Sequence, residues 1–309
     1  MRILFYTASW TTESWLRNLE AVLPGAQVRV WQEGDNDPAD YALVWKPPAA
    51  MLRGRRDLKA IFSLGAGVDA IVQLGDALPQ GVPIVRLEDA GMAIQMAEYA
   101  TYAVLRHFRR FDEYEALARA GRWQPLEPYD KGAFTVGILG LGVLGTRIAQ
   151  ALAHFGFPLR AWSRGGKDMP GVSCYAGKDE FDAFLHGTRV LICTLPMTPE
   201  TSGILDRTNL SKLQRGAYVI NVARGAHLVE EDLLALVREG HVAGATLDVF
   251  REEPLPPGHP FRAEPRIAIT PHISALTLRE ESARQIADKI FAIERGEAVT
   301  GVVDRTKGY

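Results

Sequence analysis

The sequence predicts an α/β protein made of two doubly wound parallel-sheet domains, with the second domain inserted into the first. Short apolar runs alternate with helical patterns along nearly the whole chain, an order typical of parallel sheets covered by helices. One apolar run ends in a Gly-x-Gly-x-x-Gly turn that opens a helix. The length of 309 residues is enough for two domains.

Composition and charge limit the class of protein. The chain is 47% hydrophobic and 23% charged, with a formal net charge of −2, so no feature favours a nucleic-acid or membrane partner. The longest uncharged stretch, residues 132–146, is shorter than the roughly 20 apolar residues of a membrane span. Two cysteines, Cys174 and Cys193, lack the spacing of metal ligands. We therefore expect a cytoplasmic protein without a metal site.

The N-terminal part of the chain predicts a first set of strands. Its short apolar runs are Ile3–Tyr6, Gln27–Val30, Ala42–Trp45, Ala60–Ser63 and Ile84–Val85. A long helix follows from Met92 to about Arg119, and its apolar stripe is most simply core or inter-domain packing. An irregular arm, residues 121–131, comes next. Its apolar side chains Trp123, Leu126 and Tyr129 either pack on a second subunit or fold back on their own domain.

A second alternating series begins at Phe134. Its predicted strands are 134–139, 159–162, 189–194, 218–222, 243–248 and 267–270. A charged helical segment after Ser274 runs to about Glu297, and we expect it to return to the N-terminal domain. This assigns residues 1–98 and 276–309 to a flavodoxin-like substrate domain and residues 99–275 to a dinucleotide-binding Rossmann domain.

The glycine turn predicts a pyrophosphate site. Gly140 allows the tight turn, Gly142 allows close approach of the phosphates, and Gly145 allows the helix to pack on the strand. The backbone N–H groups and the helix dipole then face an anion. The plainer alternative is a glycine-rich turn without a ligand.

The end of the following strand predicts which dinucleotide binds. An acidic residue there would bind the ribose 2′-hydroxyl of NAD, but the segment carries Ser163, Arg164 and Lys167 instead. We therefore expect NADP(H) in preference to NAD(H), because these groups can bind a 2′-phosphate. The alternatives are a solvated basic turn, or a misplaced strand end that makes Asp168 the acidic partner.

Three strand ends carry residues suited to reduction of a 2-keto acid. Arg224 can clamp a carboxylate, His272 can donate a proton to the developing alkoxide, and Glu253 can orient and stabilise the imidazolium. Two of them have a plainer interpretation: Arg224 as a surface residue, and Glu253 as a turn residue with Glu252 as its competitor. The other histidines lie on helices or polar turns and are most simply solvent-facing or structural.

These segments resemble the D-isomer-specific 2-hydroxyacid dehydrogenases. The match includes the glycine turn, Leu195–Thr201, Asn221–Gly225, Leu247–Pro254 and Pro271-His272, in the order of that family. The resemblance implies that Arg224, Glu253 and His272 are the catalytic residues and that the protein is a homodimer. It also implies a set of cofactor contacts: Gly140, Gly142, Val143, Leu144, Gly145, Ser163, Arg164, Lys167, Leu195, Pro196, Thr201, Val222, Ala223 and Asp248.

The N-terminal domain offers a second anion site, in the small residues Gly65, Ala66 and Gly67 between a strand and a helix. An ordinary strand-to-helix turn is the alternative, and the resemblance favours substrate binding. Trp45 either packs over a small substrate or belongs to the core. The full set of predicted substrate contacts is Trp45, Gly65, Ala66, Gly67, Arg224 and His272.

The resemblance implies NADPH-dependent reduction of glyoxylate to glycolate and of hydroxypyruvate to D-glycerate. One alternative is a reductase of a bulkier 2-keto acid, since the fold does not fix the substrate. The other is a dinucleotide-sensing regulatory protein on the same fold. The presence of Arg224, Glu253 and His272 together argues against a purely sensory role.

Overall fold

The computed structural model describes residues 1–8 and 12–308. The chain divides into two compact units. The first contains Met1–Met92 and the chain from Thr277 onward, and the second, Ala93–Leu276, is inserted into it; the sequence placed these boundaries after residues 98 and 275. Among the helices of the described residues, none is long and apolar enough to cross a membrane.

The first unit is built on a five-stranded parallel sheet. Its strands are β1 (Arg2–Thr7), β2 (Gln27–Val30), β3 (Tyr41–Trp45), β4 (Ala60–Ser63) and β5 (Ile84–Val85). They lie in the order β2-β1-β3-β4-β5, which is the flavodoxin-like order. Strand β4 is buried along its whole length, which explains why it is a continuous apolar run and not an alternating one.

The second unit is built on a seven-stranded parallel sheet. Its strands are β6 (Val136–Leu139), β7 (Leu159–Ser163), β8 (Val172–Ala176), β9 (Val190–Cys193), β10 (Ala217–Asn221), β11 (Val242–Leu247) and β12 (Ile267–Ile269). They lie in the order β12-β11-β10-β9-β6-β7-β8. The direction of winding reverses between β6 and β9, and ligands of such sheets bind at the carboxyl ends near this point. The predicted pair of doubly wound sheets is confirmed.

Helices connect the strands and cover the sheets. They are α1 (Thr12–Val22), α2 (Ala49–Leu52), α3 (Asp69–Val72), α4 (Met92–Phe108), α5 (Phe111–Arg119), α6 (Val143–His154), α7 (Phe181–His186), α8 (Arg207–Leu210), α9 (Glu230–Arg238) and α10 (Arg279–Glu294). Helix α10 packs on α1, and the Glu294 carboxylate at its end accepts hydrogen bonds from Tyr41 Oη at 2.8 Å and Lys59 Nζ at 2.7 Å. The C-terminal helix therefore packs within the first unit.

The predicted long helix is wrong, because the segment forms two helices, α4 and α5. The chain breaks at Arg110, which has a left-handed backbone with φ of 57°. The Arg110 guanidinium binds both oxygens of Glu113 and donates to the carbonyl of Glu127 at 2.6 Å. No glycine or proline marks this break in the sequence, and apolar residues keep their helical spacing across it. One continuous helix was predicted for this reason.

Strand β8 was missing from the sequence-based prediction. It lies at the edge of the second sheet, where it pairs with β7 and with no other strand of the described residues, and its residues are mostly half-buried. A half-exposed edge strand does not need a continuous apolar run, so its sequence gave a weak signal.

Part of the arm of residues 121–131 folds back on its own unit, which is one of the two predicted arrangements. The Tyr129 ring contacts the rings of His107 and Phe134, and the Leu126 N–H donates to Tyr114 Oη at 2.9 Å, so this half folds back on its own unit. Trp123 is fully exposed.

Candidate active site

The glycine turn between β6 and α6 is closely packed on one side and open on the other. Gly140 has φ of 108°, and a Cβ on Gly145 would lie 1.9 Å from the Gly140 carbonyl oxygen. That oxygen accepts a hydrogen bond from Thr194 Oγ1 at 2.7 Å. A Cβ on Gly142 would meet nothing within 4 Å. The start of α6 is therefore fixed against the turn, while the backbone at Gly142 is open to an anion.

The end of β7 lies at Ser163, as the NADP(H) prediction requires. Arg164 and Lys167 follow at exposed positions, and Asp168 lies beyond the turn and not at the strand end. Ser163 Oγ is buried and has no hydrogen-bond partner in the part of the chain that the structure describes. A buried hydroxyl without a partner calls for an explanation, and a ligand that accepts its hydrogen bond supplies one.

The predicted cofactor contacts after β9 and β10 lie at the same edge of the sheet. In the loop after β9, Thr201 Oγ1 donates to the Pro196 carbonyl at 2.8 Å and accepts from the Thr198 N–H at 2.9 Å. Leu195, Val222 and Ala223 are buried. The Ala223 N–H donates to Asn221 Oδ1 at 3.2 Å. Side-chain hydrogen bonds therefore fix both loops.

His272 and Glu253 are in direct contact. His272 Nδ1 lies 2.9 Å from Glu253 Oε2, and Glu253 Oε1 accepts a hydrogen bond from the Phe250 N–H at 3.1 Å. Of the two adjacent glutamates, Glu253 thus makes the contact. The side chains are 38% and 29% exposed. A carboxylate that accepts a hydrogen bond from Nδ1–H leaves Nε2 of His272 available for proton transfer.

The backbone at His272 is held by Asp248, which is fully buried. The Asp248 carboxylate accepts hydrogen bonds from the N–H groups of Ile273 and Ser274, both at 2.8 Å, and its carbonyl accepts from the His272 N–H at 2.8 Å. His272 has φ of 56°, a conformation that is uncommon for a residue with a Cβ. The Asp248 contacts therefore hold the catalytic candidate in an otherwise unfavourable backbone geometry.

Two further residues support Asp248, and sequence reasoning missed both. Thr270 Oγ1 donates to Asp248 Oδ1 at 2.6 Å and lies 2.5 Å from Tyr99 Oη. Because Thr270 has a single hydroxyl hydrogen, Tyr99 is the donor in the second bond. Burial raises the pKa of the Tyr99 phenol well above its usual value, and the Thr270 bond opposes this only in part, so the phenol keeps its hydrogen.

Arg224 lies in the loop directly after β10. Asn221 Nδ2 donates to the Arg224 carbonyl at 3.0 Å, and Arg224 Nη1 donates to the Ala223 carbonyl at 2.8 Å. A Cβ on Gly225 would lie 1.9 Å from the carbonyl carbon of Phe250. The structure thus packs the Arg224 segment against Phe250, whose N–H group holds Glu253.

The predicted anion turn of the first unit is organised by Ser63. Its Oγ accepts from the Gly65 N–H at 3.3 Å and donates to the Gly67 carbonyl at 3.0 Å. A Cβ on Gly65 would lie 2.5 Å from the Trp45 ring. The Gly65 N–H is already used, so an anion site on this turn depends on the N–H groups of Ala66 and Gly67.

Comparison with known proteins gives the family. A model described as the NAD binding domain of D-isomer specific 2-hydroxyacid dehydrogenases matches residues 101–274. The chain belongs to the D-isomer specific 2-hydroxyacid dehydrogenase family. The resemblance of the sequence to this family is therefore confirmed.

Within the family, the Trp162–Arg164 segment also resembles glyoxylate/hydroxypyruvate reductase A. Proteins of that name from Klebsiella pneumoniae (strain 342) and Serratia proteamaculans (strain 568) are each 54% identical to this chain over 313 aligned residues. Each alignment covers 100% of both proteins, so similarity to this reductase is confirmed over the full length.

Solved structures of the family have the same fold. A dehydrogenase from Xanthobacter autotrophicus Py2 in complex with NADPH is 42% identical, with a TM-score of 0.94 over 100% of this chain and 99% of that one. An NADPH-dependent glyoxylate/hydroxypyruvate reductase from Sinorhizobium meliloti in complex with NADP is 36% identical, with a TM-score of 0.93 over the same shares.

The Tyr99–Thr270–Asp248 chain gives a stability prediction. Thr270→Val keeps the shape of the side chain but leaves Tyr99 Oη and Asp248 Oδ1 each short of a partner. We expect the free energy of unfolding to fall by about 1–3 kcal/mol, measured by urea denaturation. Thr208→Val, at an exposed position of α8, is the matched control and should stay within about 0.5 kcal/mol of wild type. An equal loss of stability in the two variants would contradict a stabilising role for the Tyr99–Thr270–Asp248 hydrogen bonds.

Proposed function

We propose that the protein is an NADPH-dependent reductase of small 2-keto acids, which converts glyoxylate to glycolate and hydroxypyruvate to D-glycerate. The observation that carries this proposal is the His272–Glu253 contact at the carboxyl edge of a dinucleotide-type sheet. The names of the Klebsiella and Serratia relatives support the choice of substrates.

We assign a separate role toward the substrate to each of His272, Glu253 and Arg224. His272 Nε2 donates a hydrogen bond to the keto oxygen and then the proton to the developing alkoxide. Glu253, through its bond to Nδ1, holds the ring in the required orientation and stabilises its charged form. Arg224 binds the carboxylate through its planar guanidinium. In the first unit, the Ala66–Gly67 backbone is the proposed anion-binding segment.

The residues after β6 and β7 fit NADP(H) in preference to NAD(H). The open backbone at Gly142 suits the pyrophosphate, and the unpartnered Ser163 Oγ with exposed Arg164 and Lys167 suits a 2′-phosphate. When bound, NADPH supplies the hydride to the keto carbon. The NADPH and NADP complexes of the Xanthobacter and Sinorhizobium proteins support this choice.

One assay distinguishes the proposed function from its two alternatives, a reductase of bulkier 2-keto acids and a dinucleotide sensor. NADPH oxidation at micromolar enzyme is followed with glyoxylate, hydroxypyruvate, pyruvate and a branched 2-keto acid. Turnover of glyoxylate and hydroxypyruvate supports the proposal. Turnover of the branched acid alone indicates a reductase of bulkier substrates, and NADPH binding without turnover indicates a sensor.

The chain is also proposed to be cytoplasmic.

The acid–base role of His272 gives the first functional prediction. His272→Asn should lower kcat/KM for glyoxylate by about 10²- to 10⁴-fold, because the proton donor is lost, while the NADPH dissociation constant changes little. His154→Asn, at an exposed position of α6, is the control and should keep wild-type kinetics. Near-normal turnover by His272→Asn would reject the assigned role.

The proposed contact between Arg164 and the 2′-phosphate gives the second functional prediction. Arg164→Ala should lower kcat/KM for NADPH by roughly tenfold to a hundredfold, because a charge-assisted hydrogen bond is lost, and should leave the value for NADH nearly unchanged. Arg17→Ala removes the same charge from an exposed position of α1 and should affect the kinetics with neither cofactor. A parallel loss with both cofactors would show that Arg164 does not read the 2′-phosphate.

A homodimer is the third part of the proposal, supported by the full exposure of Trp123 on the arm. An indole ring that becomes buried at an interface contributes strongly to association. Sedimentation equilibrium should show a dimer for wild type and a weaker dimer for Trp123→Ser. Exposed Phe155→Ser, outside the arm, is the control. Unchanged association of Trp123→Ser would exclude the arm from the interface.

A further inference from the structure

We propose that His227 is a positioning residue that links the loop carrying Arg224 to the loop after β9 through its two ring nitrogens. That these loops serve the substrate and the cofactor, respectively, rests on the proposed function. The link itself is a geometric feature of the second unit.

His227 ends the short 3₁₀ turn Gly225–His227 that follows Arg224, and it is completely buried. Its Nδ1 lies 3.2 Å from the backbone nitrogen of Arg224 and 3.1 Å from the Arg224 carbonyl oxygen. Its Nε2 lies 3.2 Å from the carbonyl oxygen of Pro196. The ring therefore spans two loops that leave the adjacent strands β9 and β10.

One neutral tautomer accounts for one hydrogen bond to each loop, and the Arg224 carbonyl then takes its hydrogen bond from Asn221 Nδ2 and not from the ring. The Pro196 carbonyl can only accept, so Nε2 must carry the hydrogen. The Nδ1 of a neutral ring is then free of hydrogen and accepts from the Arg224 N–H. A fully buried neutral imidazole with both nitrogens in use is a satisfied polar group.

Each end of this link is fixed a second time. The Pro196 carbonyl also accepts from Thr201 Oγ1 at 2.8 Å, and the Arg224 carbonyl accepts from Asn221 Nδ2 at 3.0 Å. The backbone of the turn also holds the far end of the loop after β9, since the His227 carbonyl accepts from the Leu205 N–H at 2.8 Å.

The consequence is a fixed spacing between the two loops. Binding and catalytic groups act best when supporting hydrogen bonds hold them in place. If the Pro196 loop borders the cofactor and Arg224 clamps the substrate carboxylate, His227 sets the distance between the two without touching either ligand.

The two ring nitrogens can be tested separately, because asparagine and glutamine each imitate one of them. The Asn side-chain oxygen lies near the position of Nδ1 and can accept from the Arg224 N–H. The Gln side-chain nitrogen lies near the position of Nε2 and can donate to the Pro196 carbonyl. His227→Asn therefore cuts the link to the Pro196 loop, and His227→Gln cuts the link to Arg224.

The experiment measures the NADPH dissociation constant by fluorescence titration and KM for glyoxylate by steady-state kinetics in both variants. His227→Asn should raise the NADPH dissociation constant by about three- to tenfold with little change in KM for glyoxylate. His227→Gln should raise KM by a similar factor and leave NADPH affinity nearly unchanged. His107→Gln, at another buried histidine of the second unit, controls for the cost of replacing a buried ring and should alter neither constant.

Equal effects of His227→Asn and His227→Gln on both constants, or no effect of either, would overturn the proposal. NADPH titration needs no turnover, so a protein that binds NADPH without reducing any 2-keto acid would reject the proposed function but leave the Pro196 contact testable.

A measurement on the wild-type protein covers the case in which the variants do not fold. Long-range ¹H–¹⁵N NMR of histidine-labelled protein should show His227 as the neutral tautomer with hydrogen on Nε2. Hydrogen on Nδ1 would overturn the proposed link.

Discussion

The geometry of the candidate active site depends on one buried carboxylate. Asp248 accepts hydrogen bonds from two successive N–H groups directly after His272 and holds that residue in a left-handed backbone conformation. This geometry directs His272 Nδ1 to Glu253, which is itself fixed through the Phe250 N–H. The Thr270 hydroxyl donates a further hydrogen bond to Asp248, and the Tyr99 phenol in turn donates to the Thr270 oxygen. Without this anchor, the segment would relax toward commoner backbone conformations and the ring would lose its orientation.

Close approach of backbone segments organises the rest of the site. Gly145 allows α6 to begin against the Gly140 carbonyl, and Gly225 allows the loop after β10 to pack on Phe250. Both contacts occur at the carboxyl ends of parallel strands, where the turns converge. In the proposed reductase, the first contact shapes the cofactor side and the second brings the arginine loop toward the acid–base pair.

Local sequence signals predicted most of this arrangement. Buried parallel strands are continuous apolar runs, so β4 and β5 were predicted with their observed bounds, and the alternating pattern of the half-exposed strand β2 also gave its bounds. The polar residues at the strand ends marked Arg224, Glu253 and His272. Edge strand β8 and the break at Arg110 escaped prediction because neither has a local marker. Tyr99, Thr270 and His227 were missed because their importance arises from contacts between distant parts of the chain. Ser63 was seen only as part of a turn, and its use of the Gly65 N–H required coordinates.

A crystal structure with NADPH and oxamate, an unreactive analogue of a 2-keto acid, would show whether His272 faces the substrate in this orientation. We expect His272 Nε2 within roughly 2.6–3.2 Å of the analogue's carbonyl oxygen, the Glu253 contact intact, and the analogue's carboxylate on the Arg224 guanidinium. An analogue bound away from His272, or an imidazole turned from Glu253 and pointing elsewhere, would contradict it.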